Sequence, residues 1–181
     1  MRDLLPTEWA VLGLLCHRPQ HGFALSKSLS HDGVFGYIWT APRPLTYRAI
    51  DTLCADGLVE FQGAEPGEGG PPRHVVEITD RGRDLLGEWL NEPVTHVRDA
   101  RSQLLLKLAI IDDLDRDPAP LIAAQLGVVE AMEHGLETQM SEAAVGNQEM
   151  VFAYRLEIVR GFHRFLEQRA TQIDGHKRLG A

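Results

Sequence analysis

The sequence predicts a mainly α chain of the α+β type: an N-terminal helical unit with one β-hairpin, then an all-helical region. Three observations predict it. Apolar residues recur at helical spacing over most of the 181 residues. Period-two alternation is confined to two short stretches, and these flank a Gly/Pro-rich segment, as in a hairpin. The second half carries long amphipathic patterns separated by short turn signals. At 44% hydrophobic and 24% charged residues, the chain has the composition of a globular protein large enough to bury a core.

Each element has a local reason. Thr7 is a suitable N-cap for a first helix over Glu8 to Cys16, which carries Trp9, Val11, Leu12, Leu14 and Leu15 and stops before Pro19. A second short helix is expected from about His21 to Leu29, with Phe23, Ala24 and Leu25 on its apolar side. Gly33 and Gly36 then mark a loop with Tyr37 and Trp39. Pro42 and Pro44 restrict the residues before them, so a third helix starts with Pro44 in its first position and ends at Gly57 as a left-handed cap. Leu58 to Gln62 and Arg73 to Thr79 alternate as strands. The intervening Gly63 to Pro72 reads as a long tip without regular structure. Thr79 or Asp80 caps a fourth helix through Leu85, Leu86, Trp89 and Leu90, closed by Asn91-Glu92-Pro93.

Beyond this point one helix is expected from His96 to about Leu114, apolar on several faces and therefore buried on several sides. Asp115 to Pro118 is a turn. A long helix with Leu121, Ile122, Val128, Val129, Met132, Leu136 and Met140 on one arc runs to a break near Gly146-Asn147. The last helix aligns Val151, Tyr154, Ile158, Val159, Phe162, Phe165 and Leu166 in one stripe. The expected division is residues 1–92 and 93–181.

Lys and Arg number 18 against 26 Asp and Glu, a formal net charge of −8 that divides evenly between the two halves. Bulk charge therefore cannot hold nucleic acid or an acidic membrane; any such contact must be local and shaped. Cys16 and Cys54 stand far apart in apolar segments. They form neither a disulfide framework nor a metal cluster, as expected of a protein from a reducing compartment. With no apolar signal core and no run of membrane-spanning length, the expected location is the cytoplasm.

Three helices, a hairpin and a fourth helix make the order of a winged helix-turn-helix, whose third helix enters the DNA major groove while the wing touches the backbone. A wheel over Leu45 to Cys54 supports this order. Leu45, Ala49, Ile50, Leu53 and Cys54 share one half, and Pro44, Tyr47, Arg48, Asp51, Thr52 and Ala55 share the other. An aromatic, an arginine and a threonine on a solvent face suit phosphates and base edges. Taken alone, such a helix is more often an ordinary polar surface; the hairpin behind it shifts the balance.

The segments Trp9 to Leu15 (WAVLGLL), Pro19 to Phe23 (PQHGF), Tyr47 to Leu53 (YRAIDTL) with Asp56 to Val59, and Ile78 to Arg83 (ITDRGR) resemble the PadR-type winged-helix transcriptional regulators. Pro93 to Arg101 with Leu104 to Leu108 is similar to the helical C-terminal region of one branch. The resemblance implies a homodimer paired by C-terminal helices, here through Leu104, Leu108, Tyr154, Ile158, Phe162 and Phe165. It also implies that each winged domain reads half of a two-fold symmetric double-stranded DNA operator. In some members a small molecule relieves repression.

Carried onto this chain, the resemblance puts Tyr47 and Arg48 on the DNA, with Thr46 and Thr52 as secondary contacts. Arg43 stands just before the third helix, facing a phosphate. Arg73 with His74 forms the wing contact, and Ser26 and Lys27 touch the backbone. Trp89, beside the linker, either lines a pocket for a small aromatic effector or anchors the core.

The sequence also departs from a strongly DNA-binding pattern. Between Thr40 and Val75 three arginines face five acids, and Asp51 lies on the groove-facing arc. Three roles stay open for Asp51: accepting from a cytosine amine, pairing with Arg48, or weakening non-specific affinity. The acidity also fits a rival reading, a winged protein-interaction module without DNA binding. No phosphate loop, nucleophile elbow or zinc-protease motif occurs. The His/Glu pairs at helical spacing (Glu130 with His134, His163 with Glu167) lack an adjacent third ligand. Neither an enzyme nor a cofactor or metal requirement is expected.

Overall fold

The computed structural model describes the backbone of residues 2–67 and 70–179 and the side chains of residues 2–63 and 74–173. The chain forms two compact units, one of Met1–Leu90 with Arg101–Arg116, the other of Asn91–Ala100 with Asp117–Ala181. The division is thus not a single cut, because residues 101–116 pack with the first unit.

In the first unit, α1 (Pro6–Leu15) is the central helix; every residue from Thr7 to Leu15 is buried. Its start differs from the expectation. Pro6 takes the first helical turn and Leu5 the cap position, where the Leu5 N–H donates to the Glu8 carboxylate at 2.6 Å. The Thr7 hydroxyl is used instead to accept from Trp39 Nε1 at 2.9 Å. Arg2 bridges Glu8 and Asp56, each at 2.8 Å, so the buried Glu8 carboxylate is neutralised.

Gln20–His21 form β1, a two-residue strand that sequence alternation could not reveal. It leads into α2 (Gly22–Ser28), which His21 caps by accepting the Ala24 N–H on Nδ1 at 3.0 Å. The third helix, α3 (Arg43–Ala55), begins one residue earlier than expected, with Arg43 already helical. Its end is as the glycine requires: Gly57 has φ +67 and Leu58 N–H returns to Leu53 O at 2.9 Å.

The wing corrects the expected unstructured tip. β2 (Val59–Gly67) and β3 (Gly70–Ile78) pair antiparallel almost to the end of the hairpin, and the sheet order is β1-β3-β2. The register shifts between Phe61 and Gly63 and again between Glu65 and Gly67. Gly63, at φ +124, takes a conformation closed to most side chains. Bulges of this kind let Gly- and Pro-rich sequence stay in a ladder, because the residues that cannot pair fall at the irregularities. Fixed alternation misses such strands.

Helix α4 (Asp80–Asn91) follows, its cap being Thr79, whose hydroxyl accepts the Gly82 N–H at 3.1 Å. The helix expected from His96 to Leu114 is interrupted: α5 (Val97–Asp99) passes through a π turn (Ala100–Leu104) into α6 (Leu105–Asp113). Leu104, Leu106, Ile110 and Ile111 are buried in the first unit's core with Leu12, Leu15, Leu53, Leu86 and Leu90.

The second unit is built on α7 (Ala119–Glu142) and α8 (Asn147–Leu179). Arg160 reaches Glu133 at 3.1 Å and Glu137 at 2.8 Å, while His163 reaches Glu133 at 2.9 Å, so the helices run antiparallel. Leu121, Ile122 and Val129 pack inward with Leu156, Val159 and Leu166. The buried Gln125 amide holds both backbone groups of Val94, at 2.8 and 2.9 Å, which leaves no buried polar group of that pair unmet. Among the described residues no helix is long and apolar enough to cross a membrane.

Candidate nucleic-acid interface

The exposed face of α3 carries Arg43, Tyr47, Arg48 and Asp51, while Thr46, Ala49, Ile50 and Leu53 pack inward. This follows from the helical period: residues three and four apart share a face, and the apolar set points at α1 and α2. Tyr47 keeps 37% of its surface exposed. No ion pair joins Arg48 to Asp51, so the internal pairing left open by the sequence is absent and both charges face solvent.

Two of the expected contacts are placed otherwise. Thr46 is fully buried, and its hydroxyl turns back toward Pro42 O at 3.5 Å. It has no surface to offer a duplex. Thr52 is half-buried and donates to Arg48 O at 2.8 Å, a bond within its own helix that occupies its hydrogen.

Around this face, Lys27 on α2 is exposed and Ser26 half-buried. His74 on β3 is exposed and meets the edge of Phe61 at 5.9 Å between centroids. The Arg73 side chain lies outside the described residues; its backbone pairs with Glu65.

Leu45, expected on the packed half of α3, is exposed, and so is Phe23. Expected on the apolar side of α2, it is 48% exposed, and the Arg43 guanidinium lies over its ring at 5.5 Å and over the Tyr47 ring at 5.4 Å. The i,i+4 spacing of Arg43 and Tyr47 was visible in the sequence. The approach of Phe23 from another helix was not.

Electrostatically Asp56 shares the Arg2 guanidinium with Glu8, so these three groups together keep one net negative charge. The Arg2 guanidinium is pushed up by its hydrogen bonds to Glu8 and Asp56. Burial first, and then Asp51, push the Cys54 thiol up, so it stays protonated and inert. Burial likewise raises Cys16.

Trp89 is a core anchor. It stacks on Trp9 at 4.4 Å with 7° between planes, and the buried Lys107 ammonium stands 4.5 Å from its ring centroid. The parallel stack leaves Lys107 the opposite face, so the ring is occupied on both sides. Leu104 is fully buried and Leu108 half-buried in the first unit, whereas Tyr154 (68% exposed), Ile158 and Phe165 are exposed on α8 with Phe162 half-buried. Leu104 is thereby removed from any subunit interface.

A helical unit whose third helix is followed by an antiparallel wing and a packed fourth helix defines a winged helix-turn-helix protein. Residues 11–88 match the family described as Transcriptional regulator PadR-like family. The match takes in the helical winged unit, and the family is described as one of transcriptional regulators. The chain is 31% identical over 124 residues to Probable transcriptional regulator Rv1176c of Mycobacterium tuberculosis (strain ATCC 25618 / H37Rv). That alignment takes in 68% of this chain, which spans only 61% of the relative's length. Among solved structures it resembles Bacillus subtilis PadR in complex with operator DNA, at 19% identity and TM-score 0.46, over 92% of this chain and 98% of that one. It also resembles the Vibrio cholerae virulence activator AphA, at 16% identity and TM-score 0.39, over 94% and 99% respectively. These superpositions are loose, and the functional reading rests on residues.

Proposed function

We propose that this protein is a sequence-specific DNA-binding transcriptional regulator, a cytoplasmic homodimer that represses from a pseudo-palindromic operator. The observation that carries the reading is the exposed face of α3. Tyr47 and Arg48 are solvent-facing on a helix whose opposite side is locked into the core, Arg43 lies over the Tyr47 ring, and Lys27 and His74 are exposed on α2 and β3. Such a surface offers hydroxyl and guanidinium donors to phosphates and to guanine edges. The winged DNA-binding role is assigned to residues 1–92 and dimerisation to residues 93–181. The exposed stripe of Tyr154, Ile158 and Phe165 supports the latter, since apolar side chains in a row on a helix mark a contact surface. Two wings tied through that stripe read half-sites about one helical turn (~34 Å) apart.

Release by a small aromatic effector belongs to the same reading. The Trp9–Trp89–Lys107 stack argues against Trp89 as its contact, because both faces of that ring are taken. Asp51, without an ion pair among the described residues, favours selectivity over general affinity, because a carboxylate repels phosphate but accepts from a cytosine amine. The same residue is what favours the rival reading, a protein-interaction module without DNA affinity.

The test is a mobility-shift titration of the dimeric protein on the DNA upstream of its own gene. A discrete complex at low salt is expected, lost in Arg48→Ala at unchanged melting temperature. No complex at any salt refutes DNA binding, and unaltered binding by the variant removes Arg48 from the interface.

A further inference from the structure

We propose that Phe23 is a positioning residue for DNA binding: with Tyr47 seated on Gly22, it holds the Arg43 guanidinium as a clamp for one backbone phosphate of the duplex. The proposal rests on the reading of α3 as a DNA-facing helix and adds to it the device that prepares its first arginine.

The geometry spans two helices. Phe23 sits in the first turn of α2 and Tyr47 one turn along α3 from Arg43. The guanidinium carbon lies over both rings, at 5.5 and 5.4 Å from their centroids. These distances are within the range in which an aromatic face attracts a cation. The Tyr47 ring owes its position to the residue beside Phe23. A Cβ added at Gly22 would stand 2.9 Å from Tyr47 Cε1 and 3.0 Å from Cζ, so the ring lies directly on bare backbone. Gly22, Phe23 and Tyr47 therefore act together on a single side chain.

Arg43 itself is exposed, and among the described residues it has neither a hydrogen bond nor an ion pair. Its guanidinium carbon lies over two rings, while among the described residues its N–H groups have no protein acceptor. A guanidinium in that state presents a preformed fork of donors, matched to two oxygens of one phosphate. A free surface arginine must give up rotamer freedom to make the same bond; here the rings have already restricted it. This gives a reason for exposing a phenylalanine on a polar surface. It also fits the charge balance, because a chain at net −8 with few cations near its wing depends on each phosphate contact being well made.

The experiment uses the full chain and the upstream duplex, titrated at several salt concentrations. Arg43→Ala should weaken binding by about tenfold or more and flatten the slope of log K against log salt by about 0.9, the loss of one phosphate. Phe23→Ala and Phe23→Leu should each weaken it by about two- to fivefold, and Phe23→Trp should restore wild-type affinity. In an Arg43→Ala background Phe23→Leu should cost nothing further. Phe23→Leu keeps the apolar volume, so the comparison survives if Phe23→Ala unfolds. An equal loss from Phe23→Leu with and without Arg43, or no rescue by Trp, overturns the clamp while leaving DNA binding intact. A wild-type chain that forms no complex overturns the reading beneath it.

Discussion

Two glycines on α4 offer a test in which packing and helix propensity make opposite demands. By propensity alone, replacing a helical glycine with alanine stabilises by roughly 1 kcal/mol. At Gly87 a Cβ meets nothing within 4 Å, so Gly87→Ala should realise that gain. At Gly82 the added Cβ would collide with the carbonyl oxygen of Leu58 and stand 2.8 Å from Ile78 Cγ1. The Leu58 carbonyl is no flexible neighbour. It accepts the Thr79 N–H at 3.0 Å and ties the base of the wing to the start of α4, while Gly82 N–H donates to the Thr79 cap. Relieving the clash means moving backbone. The cost is about 1–3 kcal/mol of overpacking plus about 1 kcal/mol for a weakened hydrogen bond, against the propensity gain. The net is a destabilisation of about 1–3 kcal/mol, or roughly 5–20 °C in melting temperature for a unit of this size. Thermal unfolding followed by circular dichroism measures both variants side by side. If Gly82→Ala melts at or above wild type, or if both substitutions move the midpoint in the same direction, the account of why a glycine stands at the wing's base is wrong.

Trp89→Ala should destabilise by about 3–5 kcal/mol, because it removes the stack on Trp9 and uncovers the buried Lys107; denaturant unfolding checks this, and a loss under about 1 kcal/mol contradicts the core assignment. The hydrogen bond from His163, then the one from Arg160, hold the Glu133 carboxyl below its ordinary range. A lowered folded-state value means stability that is complete above the ordinary carboxylate pKa and lost as pH falls through the lowered one. Wild type should therefore melt higher than Glu133→Gln at neutral pH, and the gap should close on acidification; a gap that is constant with pH contradicts the linkage. Ile158→Asp, on the exposed stripe of α8, should shift light-scattering mass from dimer to monomer without unfolding the chain. A mass unchanged from wild type would place the subunit contact elsewhere.

The sequence by itself determined the order of the first four helices and the hairpin and several of their ends, because those are set by neighbours in the chain, while β1 and the break between α5 and α6 escaped it. Proline at the start of α3 and glycine after it act within a few residues and are read from spacing alone, whereas the choice of Thr79 over Asp80 as the cap of α4 needed the structure. It also determined that Ala49, Ile50 and Leu53 face inward and Tyr47, Arg48 and Asp51 outward, since residues three and four apart share a face. But it put Leu45 inside and Thr46 on the DNA, and the structure reverses both. What only the tertiary structure decided are the matters that depend on partners distant in sequence. The wing's strands persist through Gly63 and Pro66 because a facing strand absorbs the bulges. The Thr7 hydroxyl serves Trp39 rather than capping a helix. Trp89 is closed off by Trp9 and Lys107, and Leu104 is consumed by the core. Phe23, apolar and placed at helical spacing, reads as core from one dimension. In three dimensions it faces out, where the Arg43 guanidinium lies over its ring. Local spacing fixes which face a residue occupies, but whether that face is covered depends on helices that the chain brings back from elsewhere.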